Sequence, residues 1–429
     1  MSARTKIAGI ALSLTLLVGG GGVFAAQQST YDRIENEMQD IRQLELLHPL
    51  DISIQTRDEL RQTLLESIEQ DYPEDAQQRD QRVMELFGFI EPGTDVGQLQ
   101  IDLLGEQVAG YYDPETKAMV VVSDGSGDQM SASDEITFAH ETVHALQDQH
   151  FDLIGVQDSA TLDADDQYLA ITALIEGDAS LGQVQYMVAH PALVIRLQSE
   201  MTDFDSTILD NASPFISGTL LFPYDQGLTF VTALYDEGGW DLVDQAFTNL
   251  PQSTEQILHP GKYLAGEAPI PVTVNDPLPA LGDDWHIIDV NTLGEYIIQI
   301  FLDTGEVRPS TAQDAAEGWG GDQYVVAGTD DDTALIWTTE WDSEKDAEEF
   351  FTVLGVHESK RFDAERVTDD TVTTFSNDDF AGEIRLDGTR VTYILAPDTA
   401  TVADLFANQS APGEPAIEQD DTPVATPVS

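Results

Sequence analysis

Apolar residues recur at helical intervals in the stretch of chain that follows Ser131. Four of them come at spacings of three, four and three residues: Ile136, Ala139, Val143 and Leu146. This spacing predicts an α-helix with one buried stripe. Ser131 followed by Asp134 is typical of a helix N-terminus, because each side chain can bond a backbone N–H of the other residue. The pattern therefore predicts a helix that begins near Ser131.

Two short apolar runs come just before this helix. Val108–Tyr112 and Lys117–Val122 flank the turn-forming residues Asp113–Thr116, a pattern that predicts a β-hairpin. Further upstream, the chain from Tyr31 to about Phe87 is predicted to be helical. Prolines interrupt that region at Pro49 and Pro73.

Helical patterns continue after the predicted Ser131 helix. The segment from Asp163 to His190 predicts a long helix, and a further helical segment covers Asp225 to Ala246. Pro251–Tyr263 predicts a helix followed by a loop. The proline-rich stretch Ala268–Ala280 then indicates a domain boundary.

The residues beyond this boundary have the pattern of a small α+β unit. A second hairpin is predicted from Gln323–Gly328 and Thr333–Trp341, which flank the turn Thr329–Asp332. A helix is expected from Ser343 to about Leu354. Further strands are predicted at Thr371–Phe375, Ala381–Leu386 and Arg390–Leu395. A last short helix is predicted to end near Ala407.

These elements predict an α+β protein with two folded parts, as the length of 429 residues also suggests. Residues 27–267 form a mainly helical domain with the hairpin before the Ser131 helix. Residues 281–409 form the small α+β domain. Residues 410–429 contain four prolines and no aromatic residue, which predicts a disordered tail.

The N-terminal 26 residues have the composition of a targeting segment. Arg4 and Lys6 precede an apolar stretch from Ile7 to Phe24 that includes four consecutive glycines, and Val23-Phe24-Ala25 resembles a small-residue cleavage site. Residues 1–26 are therefore expected to be a signal peptide or an N-terminal membrane anchor. Either one predicts an extracellular protein, secreted or anchored to the cytoplasmic membrane. The chain contains no cysteine, which excludes disulfide bonds.

The chain is strongly acidic. It has 79 acidic and 18 basic residues, and its formal net charge is -61. Such self-repulsion destabilises a compact fold in dilute buffer, whereas near-molar salt reduces the screening length to about 3 Å. We therefore expect a protein from an extreme halophile. The charge also argues against nucleic-acid binding, which requires a basic surface.

The predicted Ser131 helix carries a motif with metal chemistry. His140-Glu141-Thr142-Val143-His144 has the form HExxH, and its two histidines lie one above the other on a single helical face. Their rings can converge on one metal ion, with Glu141 beside the open coordination position. Here the chain resembles the zincin superfamily of metallopeptidases. That resemblance implies Zn²⁺ bound by His140 and His144, and Glu141 as general base.

Two residues compete to be the third zinc ligand. In metzincins the motif continues to a third histidine, here His150, but Gln147 stands where that family has a glycine. In gluzincins the third ligand is a glutamate from a following helix, and Glu176 lies in an apolar helical run. A buried glutamate is costly unless it is paired or bound to metal, which favours Glu176. Asp178 is a candidate partner for a liganding histidine, although the thermolysin-type pattern puts its aspartate at the position of Ser180.

The resemblance implies hydrolysis of peptide or protein substrates by a metal-activated water. A donor to the oxyanion is also needed, and the sequence offers His259, Tyr224, and Tyr111 or Tyr112. The alternative function is a catalytically inactive cell-surface binding or structural protein with a structural metal site. An intact Glu141 argues against it, because such a site needs no general base.

Overall fold

The computed structural model of the protein describes residues 25–107, 110–122, 130–160, 164–200, 207–304, 307–411 and 413–416. The expected signal peptide or membrane anchor, residues 1–26, lies outside these ranges except for its last two positions. Residues 417–429 of the expected tail also lie outside them. None of the helices in the described ranges combines the length and the apolar character needed to cross a membrane.

The N-terminal two thirds of the chain are mainly helical. The helices are α1 (Ala25–Arg42), α2 (Arg57–Asp71), α3 (Glu74–Phe87), α4 (Val96–Gln107), α5 (Ala132–Phe151), α6 (Leu153–Asp158), α7 (Asp165–Ala189), α8 (Pro191–Glu200), α9 (Thr207–Asn211), α10 (Pro214–Ala246), α11 (Thr254–Leu258), α12 (Pro260–Ala265) and α13 (Leu278–Leu281).

The two long predicted helices are confirmed as α5 and α7. The segment predicted over Asp225–Ala246 is only the last two thirds of α10, which begins at Pro214. Ser213 caps its start by accepting a hydrogen bond from the Ile216 N–H. The predicted segment begins too late because Pro223 lies inside the helix, and an internal proline normally breaks a helix.

A three-stranded sheet packs against α5 and has the strand order β1–β3–β2. Its strands are β1 (Asp51–Gln55), β2 (Gly110–Asp113) and β3 (Ala118–Val122). β2 and β3 form the predicted antiparallel hairpin, although its first two residues, 108 and 109, lie outside the described chain. The helical prediction is wrong for β1, which pairs parallel with β3. A strand of five residues depends on this distant partner, so its own pattern does not reveal it.

The C-terminal part is an antiparallel sheet with the strand order β4–β5–β6–β10–β9–β8–β7. The strands are β4 (His286–Asn291), β5 (Trp319–Gly328), β6 (Thr333–Trp341), β7 (Glu365–Thr368), β8 (Val372–Ser376), β9 (Ala381–Asp387) and β10 (Arg390–Ala396). The helices of this part are α14 (Gly294–Asp303), α15 (Pro309–Ala316), α16 (Glu344–Arg361) and α17 (Thr399–Gln409). The predicted hairpin is confirmed as β5 and β6. β4 and β7 were not predicted, and every residue of β7 is exposed, so it lacks an alternating apolar pattern.

Helices cover both faces of this sheet. Trp337 of β6 points to the face of α16, where its ring lies 5.6 Å from that of Phe350. The neighbouring Ile336 belongs to the opposite apolar cluster, together with Phe406 of α17. This alternation along one strand is the period of two that a sheet buried on both sides requires. The mixed α+β class and the C-terminal sheet agree with the sequence analysis.

The helical part and the C-terminal sheet share one hydrophobic cluster. The ring of Phe87 at the end of α3 lies 5.7 Å from Phe301, 5.2 Å from Tyr324 and 6.1 Å from Trp337. The proline-rich stretch expected as a domain boundary runs along the sheet, where the Ile270 N–H donates to the Gly320 carbonyl (2.7 Å). The apolar core therefore continues past residues 268–280.

The beginning of the expected disordered tail is bound to the sheet unit. The Ala416 N–H donates to the Val274 carbonyl (2.9 Å), and the Asp276 N–H donates to the Glu414 carbonyl (2.9 Å). Ala416 is buried in the α17 cluster. The prediction of disorder is therefore wrong for residues 413–416, because Ala416 packs into the apolar cluster of α17, a contact that composition does not reveal.

Candidate metal centre

Helix α5 carries the HExxH motif and begins at a capping box. The Ser131 hydroxyl accepts a hydrogen bond from the Asp134 N–H (2.9 Å), and the Asp134 carboxylate accepts one from the Ser131 N–H (3.3 Å). These bonds satisfy backbone donors that a helix N-terminus otherwise leaves free. The predicted apolar stripe of α5 is buried, which holds His140 and His144 at the edge of the core.

Three side chains bring one ligand atom each to a common point. His140 Nε2 lies 3.1 Å from Glu176 Oε2, His144 Nε2 lies 3.3 Å from the same oxygen, and the two nitrogens are 3.1 Å apart. Glu176 comes from α7, so the set joins two helices. Each of the three side chains is less than one-fifth exposed.

The size of this triangle matches a zinc site. Ligand atoms at zinc distances of 2.0–2.1 Å in a tetrahedron lie about 3.3 Å apart. The three observed edges of 3.1, 3.1 and 3.3 Å are close to this value. Two imidazole nitrogens and one carboxylate oxygen are also ligands that zinc accepts. The donor set formed by His140, His144 and Glu176 therefore fits the ion in both chemistry and dimensions.

Glu141 lies beside the triangle. One of its carboxylate oxygens is within 4.8 Å of a ring nitrogen of both His140 and His144. Its Oε2 accepts a hydrogen bond from the backbone N–H of Tyr112 in β2 (2.9 Å). Burial raises the pKa of Glu141, because a desolvated carboxylate is less stable in its charged form. The hairpin of β2 and β3 thus fixes the orientation of Glu141, the residue that the HExxH motif indicates as the general base.

Tyr224 of α10 lies on the open side of the site. Its ring centroid is 6.0 Å from that of His140, and the side chain is 41% exposed. The Glu176 carboxylate, followed by burial, raises the pKa of Tyr224 well above its usual value. The hydroxyl therefore keeps its proton at neutral pH and can donate a hydrogen bond.

Close contact between α7 and α10 brings Tyr224 to Glu176. A Cβ placed on Gly177 would lie 2.2 Å from the Gly227 carbonyl oxygen, and one on Gly227 would lie 2.2 Å from the Ala173 carbonyl oxygen. Only glycine allows the two backbones to approach so closely. Glu176 precedes Gly177 and Tyr224 lies three residues before Gly227, so the contact aligns the two side chains.

The charges of the triangle depend on one another. Burial alone would lower the pKa of His144, but the Glu176 carboxylate outweighs it and raises that pKa to about 10. Burial would likewise raise the pKa of Glu176, but His144 and His140 lower it. In the metal-free protein His144 is therefore an imidazolium and Glu176 a carboxylate, and the two side chains form an ion pair.

Asp178 does not bond a histidine directly. Its Oδ2 accepts a hydrogen bond from Gln147 Nε2 (2.9 Å), and Gln147 Oε1 lies 2.9 Å from His144 Nδ1. The expected role of Asp178 next to a liganding histidine is thus corrected: the amide of Gln147 stands between them. Gln147 stands at the position where a metzincin has its glycine, and here the α-helix continues through this residue.

His150 lies away from the triangle. Its side chain is exposed near the end of α5, and its Nε2 lies 2.8 Å from the Glu45 carbonyl oxygen. The structure therefore brings Glu176, and not His150, to the two HExxH histidines. The helix continues in regular form past Gln147, which directs His150 to another side of α5.

His259 and the two hairpin tyrosines are not brought to the triangle by their side chains. His259 Nε2 lies 2.9 Å from Glu295 Oε1, and that carboxylate raises its pKa. The Tyr112 hydroxyl donates to Asp148 (2.8 Å), and the Tyr111 hydroxyl is enclosed. Their places follow from tertiary packing, since the sequence offers no spacing rule for a residue outside the HExxH helix.

Sequence reasoning did not identify three residues behind the site: Gln147, Arg42 and Asp244. Gln147 lies three residues after His144, and that spacing puts the two side chains on one helical face. In the sequence, Gln147 stands out only as a departure from the metzincin glycine. Arg42 and Asp244 reach the site from α1 and α10, and no local pattern connects them with it.

A protein family and a solved structure each match part of this chain. Residues 286–405 match a family described as a domain of unknown function, DUF8575. No curated protein matches the chain. A crystal structure from Chloroflexus aurantiacus, described as a "putative hydrolase with a novel fold", is 18% identical over 58% of this chain and 92% of its own, with a TM-score of 0.34. A likeness at that level establishes neither a shared fold nor a shared activity. The family match covers the C-terminal sheet unit and begins well after the candidate metal centre, whose residues lie between positions 140 and 176.

Proposed function

We propose that the protein is a zinc-dependent metallopeptidase of the zincin type, with the gluzincin-like ligand set His140, His144 and Glu176. The observation that carries this proposal is the triangle of ligand atoms with edges of 3.1, 3.1 and 3.3 Å. Three protein ligands leave a fourth position for water, as catalytic zinc sites require. Glu141 beside the triangle supplies the base that a purely structural site does not need.

The roles of the side chains follow from their positions. Bound by the three ligands, zinc would supply Lewis acidity, which polarises a peptide carbonyl and makes water easier to deprotonate. Glu141 accepts a proton from the attacking water and returns it to the leaving amine. The Tyr112 N–H keeps the Glu141 carboxylate oriented for both transfers.

Tyr224 is the donor that this proposal assigns to the oxyanion. Its hydroxyl keeps its proton, because the neighbouring Glu176 carboxylate raises its pKa. Its partial exposure at the open side leaves room for a substrate. A donor aimed at the developing charge contributes most when it is held in place before the reaction, and the contact of Gly177 with Gly227 holds α10 in this way.

The substrate class under this proposal is a peptide or protein chain. β2 is an edge strand of the small sheet and lies next to Glu141, and an edge strand can bind an extended peptide by strand addition.

The targeting segment 1–26 supports an extracellular location, secreted or anchored to the cytoplasmic membrane. The formal net charge of -61 supports activity of the protein in high salt, where charge repulsion is screened.

The test measures zinc content and peptide hydrolysis of the protein in molar salt, with and without a chelator. Glu141→Gln should retain zinc at near-native stoichiometry and lose about 10²–10⁴-fold in turnover, since the ligands are untouched and the base is gone. Glu115→Gln, the same change in the exposed hairpin turn, is the control and should keep full activity. Normal turnover in Glu141→Gln would contradict the proposed mechanism. Zinc bound without any hydrolysis by the native chain would favour the metal-stabilised surface protein instead.

A further inference from the structure

A buried chain of polar side chains leads from His144 away from the metal centre. His144 Nδ1 lies 2.9 Å from Gln147 Oε1, and Gln147 Nε2 donates to the Ile175 carbonyl (2.9 Å) and to Asp178 Oδ2 (2.9 Å). Gln147 and Asp178 are both fully buried. Every polar group of the Gln147 side chain is therefore used, and none of them contacts solvent.

The partners of Gln147 determine which way its amide faces. A backbone carbonyl and a carboxylate both accept hydrogen bonds, so only the NH₂ end of the amide can satisfy them. The oxygen end must then face His144, and an oxygen can only accept. His144 therefore carries a hydrogen on Nδ1, and Nε2 is the ring nitrogen that can bind a metal ion. That nitrogen is the one that lies 3.1 Å from His140 and 3.3 Å from Glu176.

Arg42 holds Asp178 from the other side. Its Nε donates to Asp178 Oδ1 (2.6 Å), and its NH2 group donates to Asp244 Oδ1 (2.6 Å). The guanidinium also stacks on the Trp240 ring, with 4.4 Å between its central carbon and the ring centroid. The side chains of Arg42 and Asp178 are both 0% exposed. Two carboxylates accept from the Nε and NH2 groups of this enclosed guanidinium, which limits the orientations that it can take.

We propose that Gln147 is the positioning residue of the metal centre, and that Arg42, acting through Asp178, fixes its amide. The inference rests on the proposed function in one respect: it takes the triangle to be a zinc site. Gln147 keeps His144 in the tautomer that can bind a metal through Nε2. The amide oxygen accepts the Nδ1 hydrogen, so the ring is held in one orientation with Nε2 toward the other two ligand atoms.

The test replaces the hydrogen-bond acceptor without changing the volume much. Gln147→Met should weaken zinc binding by about 10–100-fold, as loss of a ligand's partner typically does. Affinity is measured by chelator competition in molar salt, and the visible absorption spectrum of the Co²⁺-substituted protein reports the ligand geometry and should shift. Gln149→Met is the matched control on the same helix. Gln149 accepts from the N–H groups of Leu47 and His48, so its loss should change neither readout.

A second variant separates positioning from packing. Asp178→Asn leaves the volume of the cluster unchanged, but one of its two oxygens, which accept from Arg42 Nε and Gln147 Nε2, becomes an NH₂ group. One of those donors then loses its acceptor, so zinc affinity should fall and the Co²⁺ spectrum should shift in the same direction as in Gln147→Met. Near-native zinc affinity in Gln147→Met would overturn the inference, and near-native affinity in Asp178→Asn would overturn the part assigned to Asp178 and Arg42. Neither readout requires turnover, so a native protein that binds zinc without hydrolysis would contradict only the proposed function.

Discussion

Two buried histidine–glutamate pairs lie in different halves of the molecule and have different surroundings. In the C-terminal unit, His357 Nδ1 lies 2.7 Å from Glu358 Oε1, and Arg361 donates to both oxygens of Glu358 at 2.9 and 2.7 Å. The Tyr393 hydroxyl donates to Oε2. Burial opposes ionisation of Glu358, but Arg361 outweighs it and lowers the pKa of Glu358 to about 2. The protein itself thus supplies every partner of this carboxylate.

The pair at the metal centre has a different environment. Glu176 Oε2 faces two histidine nitrogens, and within the described chain no arginine or lysine forms an ion pair with it. The side of the site at Tyr224 is partly open. Burial of an acid and a histidine therefore does not identify a site by itself. Three ligand atoms that converge at metal-site distances, with an open side, distinguish the candidate metal centre from the closed cluster formed by Glu358 and its partners.

The sharpest test of this difference is removal of Glu176. Glu176→Ala should weaken zinc binding by on the order of a thousandfold or more, because two histidines are too few to hold the ion tightly. His150→Ala is the matched control and should retain zinc, since its ring bonds the Glu45 carbonyl. Zinc is measured after dialysis against a weak chelator in molar salt. Zinc lost from His150→Ala but kept by Glu176→Ala would indicate a metzincin-like arrangement, and zinc kept by both would direct the search to His259.

The opposite result is expected for the closed cluster. Glu358→Ala should lower the free energy of unfolding by about 3–5 kcal/mol, because it leaves the buried Arg361 guanidinium without its partner. Zinc stoichiometry should not change. Unfolding is followed by denaturant titration in molar salt, with Glu348→Ala as the control at an exposed position of the same helix. A stable Glu358→Ala protein that loses zinc would mean that the two clusters had been assigned the wrong way round.

A third change probes the open side of the metal centre. Tyr224→Phe should reduce turnover by about 10²-fold at unchanged zinc content, the usual cost of losing one donor to an oxyanion. Tyr235→Phe, on the same helix but packed against Trp240 at 4.9 Å, should have full activity. Unchanged turnover in Tyr224→Phe would exclude this tyrosine as the oxyanion donor.

The pH dependence of zinc binding provides a smaller and continuous test. The pKa of His144 is raised to about 10 in the metal-free protein, where the Glu176 carboxylate outweighs burial. Zinc must displace that proton, so apparent affinity should rise about tenfold per pH unit for each proton released, and level off near pH 10. The proton's own contribution to stability has the opposite sign: it is complete below the unfolded pKa and is lost as pH rises toward 10. An affinity that is flat between pH 7 and 9 would contradict the ion pair described for the metal-free site.

Much of the fold follows from short-range patterns. The capping box at Ser131 and the apolar stripe predict α5, and the turn Asp113–Thr116 predicts the hairpin, because these depend on residues a few positions apart. β1 escaped prediction because its partner, β3, lies more than sixty residues away in the chain. β7 escaped because it has no buried side. The ordered residues 413–416 depend on a pairing with Val274 and Asp276.

The residues of the candidate metal centre likewise fall into two groups: those that short-range patterns predict and those that only the tertiary structure brings together. Two histidines on one helical face, and Glu176 inside an apolar run, could be selected from the sequence because helical spacing and the cost of a buried charge are local arguments. The sequence favours Glu176 over His150 by the cost of a buried charge, without placing either side chain beside the two histidines. The structure favours Glu176 because α7 packs across α5 and turns its carboxylate toward both rings.

The sequence by itself determined which groups are available for chemistry: a glutamate between two helical histidines, a second glutamate in an apolar setting, and a strongly acidic chain. Only the tertiary structure decided which groups meet. The contact between Gly177 and Gly227 sets Tyr224 beside Glu176, and the bonds of Arg42 to Asp178 and Asp244 join three helices behind His144. Spacing along a helix specifies which side chains share a face, whereas a hydrogen bond between distant segments exists only after the core has packed and excluded water from it.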